Sequence, residues 1–78
     1  MNSQHKAIRA LLCTMAPKRA IAYIQSFELP EEEERFLIQC DVYDKSYQQV
    51  IEQFNTSKSA IRDKRRRAYA KIADAIRR

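Results

Sequence analysis

Apolar residues recur along the chain at helical spacing. Ile8, Leu11, Leu12 and Met15 fall at i, i+3, i+4 and i+7, the mark of one buried helical face. Ala20, Ile21, Ile24 and Phe27 form a second stripe behind Pro17. That proline breaks the first run and suits the opening turn of a second helix. Phe36, Leu37, Cys40 and Tyr43 form a third stripe behind Pro30, and Tyr47, Val50, Ile51 and Phe54 a fourth. In the last stretch Ile61, Ala68, Ile72, Ala75 and Ile76 gather on one side of a single long helix. The pattern predicts five helices, over about 3–15, 17–28, 30–42, 46–54 and 57–76.

The polar residues between the stripes supply start and stop signals. Ser3 and Ser57 are candidate caps, and Ser46 with Gln49 three residues later reads as a capping box. Glu31, Glu32, Glu33 and Glu34 suit a helix N-terminus, where carboxylates meet the positive end of the dipole, and read as a capping, solvated face, with a polymerase or protein contact as the alternative. Asn55 tolerates left-handed geometry and can end a helix in place of glycine. Arg65 falls near the apolar side of the last helix. There it either snorkels or reaches an acidic residue of the middle segment.

Composition narrows the fold class. The 78 residues include no glycine and two prolines, so tight hairpins and glycine-rich phosphate loops lack their raw material. A 45% hydrophobic content suits one modest core. The expectation is all-α: a small five-helix domain with a C-terminal helix-turn-helix. Cys13 and Cys40 lie on apolar faces as candidate buried thiols, and with His5 they match no zinc spacing. No metal or cofactor is expected. Catalysis needs a positioned base or nucleophile in a pocket, and no such set stands out, so no enzyme is expected. The N-terminus lacks the apolar stretch of a signal peptide, and no apolar run nears the ~20 residues of a membrane span. The expected location is a reducing cytoplasm.

Charge is divided by segment. Residues 1–27 carry +4, residues 28–57 carry −6 and residues 58–78 carry +7. A basic C-terminal third points to an anionic partner at that end. Lys6, Arg9, Lys18 and Arg19 read as solvated charges, and Tyr23, Tyr43, Tyr47 and Tyr69 as aromatics at the edge of the core.

Two helices joined by Asn55-Thr56-Ser57, the second strongly basic, read as a helix-turn-helix. The segment from Ser46 to Arg62 resembles the helix-turn-helix of region 4 of bacterial sigma factors. Arg67-Ala68-Tyr69-Ala70-Lys71-Ile72 is similar to that region's basic tail. Leu29-Pro30-Glu31-Glu32-Glu33-Glu34-Arg35-Phe36-Leu37 resembles its opening. The likeness covers about residues 29–73. It implies a domain that reads double-stranded promoter or operator DNA and touches RNA polymerase. Carried over by position, it implies base contacts from Lys58, Ser59, Arg62 and Asp63. It implies phosphate contacts from Lys45, Ser57, Arg66 and Arg67. Asp63 either accepts from a cytosine amine or pairs with Arg66 or Arg67. Nothing resembles the promoter-melting region 2, so the expectation is a stand-alone region-4-like regulator of phage or mobile-element type.

Residues 1–28 are expected to complete the core or to form an interface. Ile8, Leu11, Leu12 and Met15 are the candidate surface for a homodimer or another protein. Three function classes follow: a sequence-specific transcriptional regulator, a protein-interaction module mimicking sigma region 4, and an architectural or recombination accessory protein. Salt dependence separates the DNA binders from the second class, and specific against random duplex separates the first from the third.

Overall fold

Helix boundaries follow the capping chemistry. In the computed structural model, which describes residues 3–77, the chain forms five α-helices and no strand among those residues. They are α1 (Ser3–Thr14), α2 (Pro17–Gln25), α3 (Glu31–Leu37), α4 (Tyr47–Phe54) and α5 (Lys58–Arg77). Ser3, expected as a cap, is already helical.

The second helix stops short of residue 28. Glu28 takes a left-handed φ of 53°, and Pro30 disfavours helical backbone at Leu29. Pro30 itself, at φ −52° and ψ 146°, leads into α3. All four glutamates fill the first turn of α3. Glu33, however, is buried, with its carboxylate held by Lys71 at 2.9 Å.

The third predicted helix does not run unbroken to residue 42. After Leu37 the chain widens into a π turn, Ile38–Val42. A π turn adds one residue to the local repeat, so positions after it rotate by roughly 100°. Asp41 thereby faces the interior, and Tyr43, expected on the buried face, is 50% exposed.

The capping box of α4 forms as predicted. Gln49 N–H donates to Ser46 Oγ at 3.2 Å, and Ser46 N–H donates to Gln49 Oε1 at 2.9 Å. Asn55 ends the helix at φ 52° and ψ 52°. Ser57 Oγ then accepts from Ala60 N–H at 3.2 Å and starts α5.

The long helix α5 serves two apolar clusters. One joins Ile8, Leu12, Ile24, Leu29 and Leu37 to Ala68, Tyr69, Ile72 and Ala73. The other joins Phe36, Cys40 and Val50 to Ile61. Ile8 and Leu12 therefore belong to the chain's own core, not to a free interface. Each contributes about 1.5–3 kcal/mol by burial. Of the four candidate interface residues only Leu11, 41% exposed, and half-buried Met15 reach the surface. α1 and α2 share a cluster with α3 and α5, so Ile8, Leu12 and Ile24 of the N-terminal segment pack into the core. Cys13, Ala75 and Ile76, expected on apolar faces, are exposed.

Candidate nucleic-acid interface

The charges of α5 are sorted by what packs beside them. On one flank Lys64 meets Glu32 at 3.7 Å and Lys71 meets Glu33 at 2.9 Å. Both carboxylates come from α3, which neutralises that side of the helix. Arg65 points inward and pairs with Asp41 of the π turn. Asp63 is shared by Arg66 at 3.4 Å and Arg67 at 3.3 Å. Lys58 and Arg62 pair with no carboxylate among the described residues. Lys58 Nζ instead lies 5.9 Å from the centre of the Tyr47 ring.

The buried Arg65 anchors the basic half of α5. One terminal nitrogen donates to Tyr47 Oη at 2.9 Å, and the other to Tyr69 Oη at 2.9 Å and to Asp41 Oδ1. Tyr69 Oη in turn donates to Asp41 Oδ2. Arg65 Nε is buried without a partner. Burial disfavours the Arg65 charge, but Asp41 and the neighbouring Tyr69, Cys40 and Tyr47 more than offset this, and its pKa is raised. Burial, then the charge of Asp41, also raises the Tyr69 hydroxyl well above its ordinary value. Burial likewise pushes up the Cys40 thiol.

Two open clefts meet above this network. The larger, about 620 Å³, lies between α1 and α5 and is lined by His5, Tyr47, Ser59, Arg62, Arg66 and Tyr69, with Asp63 and Arg65. The smaller, about 420 Å³, is lined by Arg9, Lys45, Ser46, Tyr47 and Arg65, with Cys40 and Asp44. Tyr47 and Arg65 belong to both.

The eight residues carried over for DNA contact are thus only partly assembled. Ser59, Arg62, Asp63 and Arg66 share the larger cleft. Lys58 stands beside it at the Tyr47 ring. Lys45 lies in the smaller cleft, where its Nζ donates to Gln53 Oε1 at 2.7 Å. Ser57 has its hydroxyl oxygen in the helix cap. Arg67 lines neither cleft.

The helical pattern did not point to His5, Arg9, Tyr47 or Asp41 as parts of this surface or its support. Only Arg65, out of phase among apolar positions, signalled a buried partner.

No helix is long and apolar enough to cross a membrane among the described residues. No family model, curated protein or solved structure matches the chain.

Proposed function

We propose that this protein is a transcriptional regulator that binds duplex DNA through the first half of α5. The observation that carries this reading is the sorting of charge on α5. Carboxylates of α3 and the π turn neutralise Lys64, Lys71 and Arg65, while Lys58, Ser59, Arg62 and Arg66 face solvent on the other side. That face keeps a net positive charge, since Lys58 and Arg62 have no carboxylate partner among the described residues and Arg66 shares the single Asp63 with Arg67. Duplex DNA needs such a face. The major groove admits one helix, and each neutralised phosphate releases counterions.

In this reading α4 braces α5 through Val50 and Ile61, and the Asn55–Ser57 turn sets the start of α5 at the surface. Arg62 reads a base edge, Ser59 and Lys58 flank it, and Arg66 and Lys45 hold phosphates. The sigma region 4 resemblance supports the same arrangement, with the protein acting in a bacterial cytoplasm.

Fluorescence anisotropy on labelled duplexes across a salt series tests the proposal. The expected result is binding that weakens steeply with salt, and a converged motif from a random duplex pool. Absence of salt-sensitive duplex binding would overturn it.

A further inference from the structure

Resting on this DNA reading, we infer that α1 is a further DNA-contacting element, in which Arg9, with His5 one turn before it, holds the phosphodiester backbone beside α5 and α4. His5 lines the larger cleft together with Arg62 and Arg66. Arg9 lines the smaller one together with Lys45 and Ser46. Residues four apart share a helix face, so one side of α1 borders both clefts. Tyr47 and Arg65 are common to the two and join them into a continuous track.

The track is positive where a phosphate needs it. Arg9, Lys45 and Arg62 form no ion pair with a carboxylate among the described residues. The bond from Lys45 to the neutral Gln53 amide holds the ammonium in place without cancelling its charge. Each cleft has a single carboxylate of its own, Asp63 in one and Asp44 in the other, against two cations besides Arg65. Arg65, neutralised by Asp41, forms the fixed floor. An imidazole N–H is a competent phosphate donor whatever its charge. Lys6, Arg9, Lys18 and Arg19 are all exposed, as expected of solvated charges, and of these four only Arg9 lines either cleft.

Anisotropy titrations of Arg9→Gln and Arg19→Gln on one duplex test the inference. Both residues are exposed, both variants remove one positive charge, and only Arg9 lies on the track. Arg9→Gln is expected to lower the slope of log K against log salt by about one and to weaken binding about fivefold to tenfold at 0.1 M salt. Arg19→Gln is expected to leave the slope unchanged. His5→Ala is expected to weaken specific and random duplexes alike. If wild type binds and the Arg9 and Arg19 variants behave identically, α1 is not a contacting element. If wild type shows no salt-sensitive binding, the DNA reading itself falls. Circular dichroism melts of each variant separate lost contact from lost fold.

Discussion

Arg65 and Asp41, 24 residues apart, meet in the interior with side chains 9% and 0% exposed. The pair ties the π turn to the middle of α5, one turn beyond Ile61. Removing either partner leaves a buried charge uncompensated. Asp41→Ala and Arg65→Ala are each expected to cost about 3–5 kcal/mol, a large share of the stability of a domain this small. Replacing both, as Asp41→Leu with Arg65→Met, should recover most of the loss. Urea unfolding followed by circular dichroism measures this. A cost below about 1 kcal/mol for Arg65→Ala would show that the pair is not desolvated in solution.

Tyr69 makes the same network sensitive to alkali. Its hydroxyl donates to Asp41, and burial followed by that carboxylate's charge raises its pKa above the ordinary tyrosine value of about 10. The folded state therefore keeps a proton that the unfolded chain releases. The stability this contributes is fully present below about pH 10 and is lost as pH rises through the folded-state pKa. Tyr69→Phe should cost about 1–3 kcal/mol at neutral pH. It should also fall off less steeply than wild type above pH 10. Parallel stability curves for the two proteins in that range would exclude the linkage.

Much of the fold was legible because each helix buries one stripe. The π turn was not, since periodicity assumes a constant repeat and one added residue shifts the phase of all that follows. That shift put Tyr43 outside and Asp41 inside. Glu33 was misread for a related reason. Four adjacent glutamates span a full helical turn, so one had to face α5, and Lys71 on that helix receives it.

Leu11 and Leu12 separate interface from core. Leu12 is 1% exposed and Leu11 is 41% exposed. Leu12→Glu should unfold the protein, because a buried carboxylate there has no partner. Leu11→Glu should change stability by less than about 0.5 kcal/mol. Sedimentation of the folded Leu11→Glu protein then reports on a dimer through this face. A wild-type dimer that persists in this variant would place the interface elsewhere.

Spacing made the candidate site legible along α5, where it brings Ser59, Arg62 and Arg66 to one side, while Lys45 came from the sigma region 4 resemblance alone. The contributions of α1 depend on how that helix crosses α5, and spacing within a helix carries no such information. The ring of His5 lies 5.4 Å from that of Tyr69, a contact spanning most of the chain.

Asp63 decides between two ways of using the face. Its carboxylate meets Arg66 and Arg67, and a carboxylate on a DNA-facing helix repels phosphate unless it accepts from a cytosine amine. The observed pairs favour a restraining role, in which Asp63 holds two arginines and limits their hold on any duplex. Asp63→Asn should then bind random duplex more tightly, with a steeper salt slope, because Arg66 and Arg67 gain freedom to reach phosphates. Arg66→Ala should do the reverse on all sequences. Arg62→Ala should cost about 1–3 kcal/mol on the selected sequence and much less on random DNA, relaxing one position of the motif. If Asp63→Asn instead loses 1–3 kcal/mol on the selected sequence alone, at a position occupied by cytosine, then Asp63 reads the base. Duplex selection repeated with each variant, at two salt concentrations, distinguishes these outcomes.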